Sequence, residues 1–156
     1  MLAEGIRTLD IVQLTEHDLF SLAESFRQFW GEESSHEKMS VSFQKISKNP
    51  AYILLAAKQN DRLYGFAMGI ICEELYGDYK PFMVIEDIIV DKNQRRNRVG
   101  ASLMQELEKR AFTHDCCQII FVTEADRLDA HLFYRAMGYK WESYKGFKKR
   151  IGTVNK

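Results

Sequence analysis

The stretch VIEDIIVDKNQRRNRVGASL, residues 84–103, decides the fold of this chain. Its first third belongs to an apolar run over 82–90 that predicts a buried central strand. Apolar residues then recur at every fourth position from Val99 to Ala111, which predicts a helix over 99–114. The turn between these two elements is basic. The stretch is therefore interpreted as a strand, a cationic turn and the beginning of a helix.

The beginning of this helix is suited to an anion. A helix N-terminus carries free N–H groups and the positive end of the helix dipole, and both favour a bound phosphate. The small residues Gly100, Ala101 and Ser102 leave room for a ligand to approach the backbone. The turn adds charge-assisted donors at Arg95, Arg96 and Arg98. A solvated basic loop before an ordinary helix is the alternative, and the pattern by itself favours neither.

Outward from this stretch, strand and helix patterns continue in both directions. The remaining predicted strands cover 6–14, 51–58, 63–74 and 118–123, with further strands from Tyr139 to near Ile151. The remaining predicted helices are one with an apolar stripe between Thr15 and Gly31, one over 39–47 and one over 129–137. The order is that of a mixed α/β (α+β-like) fold with one right-handed parallel crossover over 82–124.

Turn and cap signals support these elements. The sequence from Thr15 to Asp18 predicts a capping box before the first helix, and Gly31 predicts its end. Residues 59–62 (QNDR) predict a hairpin turn. Gly65 and Gly69 lie in the strand that follows and indicate a bulge or a close backbone approach.

The chain has 156 residues, which is the size of one ordinary domain, and we predict a single domain over 1–156. Lys plus Arg and Asp plus Glu are 22 each, so the balanced charge gives no reason to expect a nucleic-acid partner. No apolar run is long enough to cross a bilayer, and we expect no membrane partner.

The three cysteines are Cys72, Cys116 and Cys117, an odd number without a C-x-x-C motif. This usage favours reduced thiols and a cytoplasmic protein, in agreement with an N-terminus that lacks secretion-signal features. His114 precedes the cysteine pair, but the spacing does not match zinc-ligand patterns, so we expect no metal.

The segment at the helix start resembles motif A of the GCN5-related N-acetyltransferase (GNAT) superfamily. The pattern Q/R-x-x-G-x-G/A falls on Arg95–Gly100, with Arg98 in place of the first glycine. A second segment, Ala130–Tyr139, resembles the A-x-x-x-Y-x-x-x-G-F block of the same family. Arg127 stands where an asparagine often precedes that block.

The resemblance implies a GNAT fold: a central, mostly antiparallel twisted sheet with helices on both faces and one parallel strand pair splayed for acetyl-CoA. Acetyl-CoA is then the co-substrate, and no other cofactor is implied. The resemblance places the pantetheine arm on the backbone of Ile88, Ile89 and Val90. It places the pyrophosphate and its surroundings on Arg95, Arg96, Asn97, Arg98, Val99, Gly100, Ala101 and Ser102.

Two side chains are the candidate catalytic pair that the resemblance implies. An amine with a lysine-like pKa must lose a proton at a cost of about 4 kcal/mol at neutral pH, and a carboxylate near the thioester meets that need. Glu86 is the candidate base, with a structural ion pair as the alternative and Asp87 as the substitute base. Tyr134 is the candidate acid for the departing thiolate, although its helical spacing also fits a core residue.

The sequence thus predicts direct acetyl transfer to the primary amine of a small molecule. A cationic amine is favoured because carboxylates cluster in two segments that the family places near the acceptor. They are Glu32, Glu33, Glu37, Glu73, Glu74 and Asp78. A protein or peptide N-acetyltransferase and a non-catalytic acyl-CoA sensor are the alternatives. A dinucleotide oxidoreductase is disfavoured because G-x-G-x-x-G is missing. The resemblance leaves room for a homodimer.

Overall fold

The computed structural model of the chain describes residues 8–152. The strands are β1 (Asp10–Gln13), β2 (Tyr52–Gln59), β3 (Arg62–Cys72), β4 (Phe82–Val90) and β5 (Ile119–Ile120). The helices are α1 (Leu19–Trp30), α2 (His36–Ile46), α3 (Val99–Thr113) and α4 (Leu128–Ala136). Short 3-10 turns precede α1 at Glu16–Asp18 and follow β4 at Lys92–Gln94.

The five strands form one mixed sheet whose spatial order, β1-β2-β3-β4-β5, is also their chain order. The first three neighbouring pairs are antiparallel, and β4 and β5 are parallel. The hairpin between β2 and β3 turns at Asn60 and Asp61, whose φ values of 50° and 61° are those of a left-handed two-residue turn. The predicted mixed fold with one parallel pair is confirmed.

One irregularity interrupts the ladder between β3 and β4. Met68 lies opposite Asp87 and Gly69 lies opposite Ile85, so Glu86 is the extra residue of a β-bulge in β4. Residues that pair across an antiparallel ladder share a face of the sheet. The bulge therefore puts Ile85 on the face of Gly69 and Asp87 on the face of Met68, although residues two apart in a regular strand share one face.

The two faces of the sheet carry different helices. On the face of Met68, α1 and α2 cover a buried cluster that includes Leu19, Leu22 and Phe66. On the other face α3 packs closely, since a Cβ added to Gly65 would lie 2.8 Å from Val99 Cγ1 and 3.0 Å from the carbonyl oxygen of Ile89. Gly65 thus marks the close approach that its position in the strand predicts.

Several predicted boundaries differ from the structure. The helix predicted over 39–47 begins at His36, because Ser35 Oγ accepts a hydrogen bond from the Lys38 N–H and caps the helix. The strand predicted over 118–123 contains only Ile119–Ile120, since just two ladder pairs join it to β4. The strand predicted over 6–14 is observed at Asp10–Gln13, and residues 6 and 7 lie outside the described residues.

The prediction of strands between Tyr139 and Ile151 is wrong for the described residues, which contain none there. Residues 140–152 are exposed, so a strand there would have no buried face. Instead the chain turns, with the Tyr144 N–H donating to the Trp141 carbonyl oxygen at 3.1 Å. Trp141 packs locally, against the ring of His131 and the guanidinium of Arg135.

The chain divides into two compact units, one ending at Ile120 and the other beginning at Phe121. The first contains the whole sheet with α1, α2 and α3, and the second contains α4. Among the helices in residues 8–152, none is long and apolar enough to span a bilayer.

Candidate functional site

The passage from β4 to α3 is organised by Asp91. Its N–H donates to the Tyr64 carbonyl oxygen at 2.9 Å, which ties the end of β4 to β3. Its carbonyl oxygen accepts from the Gln94 N–H at 2.8 Å, and its side-chain Oδ1 accepts from the Asn93 N–H at 2.8 Å. These bonds end the strand and start the 3-10 turn that leads into the basic loop.

Two arginines of this loop have left-handed backbone conformations, Arg96 with φ 67° and Arg98 with φ 62°. Such a conformation costs about 1–2 kcal/mol for a residue with a Cβ. Arg98 is the residue that precedes the first turn of α3, and it occupies the position where the motif has a glycine. Arg98 thus has the left-handed conformation that glycine adopts most easily, although it carries a side chain.

The first turn of α3 presents free backbone donors. The Ser102 N–H makes the first bond of the helix, to the Arg98 carbonyl oxygen at 2.9 Å. The N–H groups of Val99, Gly100 and Ala101 precede that bond and have no partner within the helix. The adjoining loop carries four exposed cations at Lys92, Arg95, Arg96 and Arg98. Donors, dipole and cations together can hold a diphosphate-like anion.

Replacing Arg98 with glycine affects stability through the backbone and ligand affinity through the lost charge. Glycine has no Cβ and so relieves the strain of the left-handed conformation. This gain outweighs the larger entropy that a glycine loses on folding, so we expect the free energy of unfolding to rise by about 0.5–1 kcal/mol. Loss of the guanidinium should weaken binding of acetyl-CoA, the ligand implied by the motif, by about tenfold. Urea unfolding and titration calorimetry measure the two effects.

The Arg96→Gly variant is the matched comparison, because it removes the same side chain from the same backbone conformation two residues away. If either variant gains stability and keeps its affinity for acetyl-CoA, the arginine that was replaced does not touch the ligand. If Arg98→Gly lowers stability, the backbone explanation is wrong.

Within residues 8–152, the strand pairing along the edge of β4 away from β3 is confined to its start. The parallel ladder joins Met83 to Ile119 and Val84 to Ile120, and the described strand β5 ends there. The backbone of β4 from Ile85 to Val90, which includes Ile88 and Ile89, lies beyond this ladder. An extended ligand can bind such an edge through backbone hydrogen bonds, as an added strand does.

The bulge also separates the two candidate bases. Glu86 is exposed while its neighbours Ile85 and Asp87 are buried. Asp87 is 8% exposed and lies on the face covered by α1 and α2. Glu86 is therefore the acid of β4 that a substrate in solution can reach.

Tyr134 lies in the second unit, within α4, and its ring packs among other aromatic rings. Its centroid is 4.5 Å from that of Phe121, 5.1 Å from Phe133 and 6.4 Å from Tyr139. Burial raises the pKa of Tyr134 above its ordinary value, and the positive charge of Arg127 partly opposes that rise. The hydroxyl thus keeps its proton at neutral pH and can act as a proton donor.

The sequence prediction missed two contributions to the site. Asp91 has a local signal, because Asp-x-Asn is typical of a turn in which the carboxylate accepts a backbone N–H. Gln28 of α1 has none: its Oε1 accepts a hydrogen bond from the Lys92 N–H at 3.3 Å across 64 positions of sequence.

A shallow open depression lies beside Asp91 on the α1 side of the sheet. Its lining consists of Phe20, Ser21, Glu24, Ser25, Arg62, Leu63 and Asp91. It contains neither Glu86 nor the free N–H groups of α3, so it is not the anion-binding feature described above. Within residues 8–152, no three His, Cys, Asp or Glu side chains are grouped as a metal site requires.

The model of the acetyltransferase (GNAT) family matches residues 19–139. A search of curated proteins finds no match.

Solved structures share the fold at low sequence identity. A putative acetyltransferase from Agrobacterium tumefaciens is 19% identical with a TM-score of 0.85, covering 91% of this chain and 99% of that one. A glucosamine-6-phosphate N-acetyltransferase from Arabidopsis thaliana is 18% identical with a TM-score of 0.79, covering 91% and 98%. The aminoglycoside N-acetyltransferase AAC(6')-Iy in complex with CoA is 18% identical with a TM-score of 0.78, covering 97% and 100%.

Proposed function

Because this chain belongs to the acetyltransferase (GNAT) family and is an acetyltransferase, we propose that it transfers an acetyl group directly from acetyl-CoA to the primary amine of a small cationic molecule. The observation that carries the proposal is the segment formed by β4, the basic loop and α3. In this segment a bulge exposes Glu86 on the strand that leads, through the basic loop, to the anion-binding N-terminus of α3.

The residues present fit acetyl-CoA. The N–H groups of Val99, Gly100 and Ala101 and the guanidinium groups of the loop would hold its pyrophosphate. The backbone of Ile88, Ile89 and Val90 would bind its pantetheine arm along the edge of β4. When bound, acetyl-CoA supplies the thioester that the amine attacks. GNAT acetyltransferases use acetyl-CoA, and AAC(6')-Iy was solved with CoA.

In the proposed reaction Glu86 takes a proton from the acceptor ammonium, directly or through water, and Tyr134 gives a proton to the departing sulfur.

The proposed transfer is direct and does not pass through an acyl group bound to a cysteine. Burial raises the pKa of the Cys116 thiol, and the negative charge of neighbouring thiolate and carboxylate groups raises it further. A thiol that stays protonated is a poor nucleophile. The three free thiols fit the reducing conditions of the cytoplasm, where we expect the enzyme to act.

The charge of two loops supports a cationic acceptor. Glu73 and Asp78 are exposed in the loop between β3 and β4, and the same loop's cation, Lys80, pairs with Asp115 at 3.0 Å. Between α1 and α2, Glu32 and Glu33 are also exposed. Exposed carboxylates raise the local concentration of cationic substrates. Aminoglycoside acetyltransferases are among the chain's structural neighbours.

A thiol-release assay with acetyl-CoA tests the proposal against a panel of amines. The panel contains polyamines, aminoglycosides, amino acids, glucosamine 6-phosphate and lysine peptides. We expect the highest kcat/KM with a small polycation and a KM that rises with salt. A preference for the sugar phosphate or for peptides contradicts the proposed acceptor. Binding of acetyl-CoA without thiol release from any amine would identify a sensor module instead.

The Glu86→Gln variant tests the assignment of the base. We expect kcat/KM to fall by about a hundredfold at pH 7, because the amine then has no positioned base. The loss should shrink as the pH approaches the pKa of the acceptor, where free amine is abundant. A pH–rate profile with the best amine measures this.

A loss of equal size at every pH would show that Glu86 positions the substrate or supports the fold. The Asp87→Asn variant, with its unfolding followed separately because Asp87 is buried, tests the substitute base. A larger and pH-dependent loss in that variant would move the assignment to Asp87.

A further inference from the structure

The basic loop between β4 and α3 is an exposed segment with an unfavourable backbone. Lys92, Arg95, Arg96 and Arg98 are all exposed, and two of them have left-handed conformations. Within the loop, Asn97 Nδ2 donates to Gln94 Oε1 at 3.3 Å. A segment of this kind keeps one conformation only if its surroundings determine it.

One contact to the loop comes from a helix distant in the sequence. The side chain of Gln28, in the last third of α1, is half-buried, and its carbonyl oxygen accepts the Lys92 N–H at 3.3 Å. Lys92 is the first residue after Asp91, where the strand ends and the loop begins. The bond therefore joins α1 to the point where the chain leaves β4.

The orientation of the Gln28 amide is itself supported. Glu24 lies one helical turn earlier and is held by Arg27, whose Nε and Nη2 donate to the two carboxylate oxygens at 2.9 and 2.8 Å. The hydrogen bond from Arg27 lowers the pKa of Glu24 most, and a hydrogen bond from Gln28 also lowers it. Gln28 lies one helical turn after Glu24, so the amide and this carboxylate are neighbours on one side of α1 while the amide oxygen accepts the Lys92 N–H.

We propose that Gln28 is a positioning residue that holds the anion-binding loop in one conformation through the Lys92 N–H. The inference rests on the proposed function, because it takes acetyl-CoA as the ligand of the loop. A loop that is already ordered loses less entropy when the diphosphate binds. In this role Gln28 does not contact the ligand, but it increases the affinity of the loop for acetyl-CoA.

The test compares wild-type protein with Gln28→Met, which keeps the length of the side chain and removes the acceptor. A typical hydrogen bond of this kind corresponds to a two- to tenfold change in an equilibrium constant. We expect the Kd and KM for acetyl-CoA to rise by that factor, with the effect on KM rather than kcat at saturating acetyl-CoA. The Lys92 amide should exchange with solvent faster by a similar factor.

The matched control is Gln44→Met on α2. The Gln44 amide donates to Glu16 Oε2 at 2.9 Å, so the same substitution removes one hydrogen bond of a glutamine side chain from a helix that does not hold the loop. We expect it to leave the KM for acetyl-CoA and the exchange of Lys92 unchanged. The Gln28→Glu variant keeps an oxygen acceptor and should restore slow exchange of Lys92. At high salt, which screens its added charge, it should also restore the affinity.

Three results would overturn the inference. Gln28→Met with wild-type KM and wild-type Lys92 exchange shows that the bond positions nothing. A lower melting temperature with an unchanged KM assigns Gln28 a purely structural role. If wild-type protein does not bind acetyl-CoA at all, both the proposed function and this inference are contradicted. The first two results, by contrast, contradict only the role of Gln28.

Discussion

Replacing Tyr134 with phenylalanine is expected to lower kcat about ten- to a thousandfold, the range of a lost general acid. The substitution keeps the ring and its packing on Phe121 and removes only the hydroxyl. Stability should change by less than about 1 kcal/mol, because the aromatic contacts remain. Steady-state kinetics and thermal unfolding of the same preparation separate the two effects.

The pH dependence of the wild type supplies a second check on Tyr134. Burial raises its pKa, so the hydroxyl remains protonated up to and beyond the ordinary tyrosine pKa of about 10. We therefore expect no loss of kcat from ionisation of this group between pH 7 and pH 9.5.

Tyr139→Phe is the matched control, because Tyr139 belongs to the same aromatic cluster and packs on Phe121 at 5.0 Å. Its turnover should stay within a factor of about two of wild type. If Tyr134→Phe also retains wild-type turnover, Tyr134 is a core residue, as its helical spacing alone suggests.

The largest expected effect on stability comes from a buried ion pair that no motif marks. Lys58 Nζ lies 2.6 Å from Asp18 Oδ1, with side chains 14% and 6% exposed. Asp18 Oδ2 also accepts the N–H and the hydroxyl of Thr15, both at 2.8 Å. Replacing Asp18 with asparagine leaves Lys58 partly buried without this partner. We expect it to lower the free energy of unfolding by about 3 kcal/mol at pH 7.

The effect should depend on pH in a defined direction. Burial by itself would raise the pKa of Asp18, but the hydrogen bonds from Lys58 and Thr15 lower it below its ordinary value. The hydrogen bond to Asp18 raises the pKa of Lys58. A carboxyl with a lowered pKa stabilises the fold above its unfolded pKa, and that stabilisation is lost as the pH falls through the folded pKa.

The raised lysine pKa acts at the other end of the scale. Its stabilisation is complete below the unfolded lysine pKa and is lost as the pH rises through the folded value. Urea unfolding of wild type and Asp18→Asn should therefore differ most between about pH 5 and pH 10, and the difference should shrink as the pH falls below the ordinary Asp pKa of about 3.9.

Asp61→Asn is the control, because Asp61 is almost fully exposed and lies 3.4 Å from the same Lys58 Nζ. Its effect should stay within about 0.5 kcal/mol. Equal losses for Asp18→Asn and Asp61→Asn would contradict the importance of the buried partner.

The elements nearest the site were predictable because their signals are local. The apolar run at 82–90 and the four-residue repeat from Val99 locate β4 and α3 with their first residues correct. Asn60 and Asp61 signal the hairpin, since both residue types tolerate the left-handed conformation that the turn requires. Local patterns of this kind need no knowledge of tertiary contacts.

Other features depend on partners that the sequence does not identify. Gly69 indicated an irregularity, but only the ladder with β3 shows that Glu86 is the bulged residue. The hydrogen bond between Gln28 and Lys92 joins segments that share no pattern. The aromatic residues after Tyr139 are of types that favour a strand, yet a strand also needs a neighbour and a buried face.

The identical chain and spatial order of the five strands has a consequence for folding kinetics. The hairpin of β2 and β3 closes across two residues, and β4 follows β3 after a short loop, so these two antiparallel pairings are local and cost little loop-closure entropy. The pairing of β1 with β2 is not local, because α1 and α2 lie between the two strands. The parallel pairing of β5 with β4 likewise requires α3 to form and pack first. Because β5 is held by only two ladder pairs, we expect it to be the first strand to open.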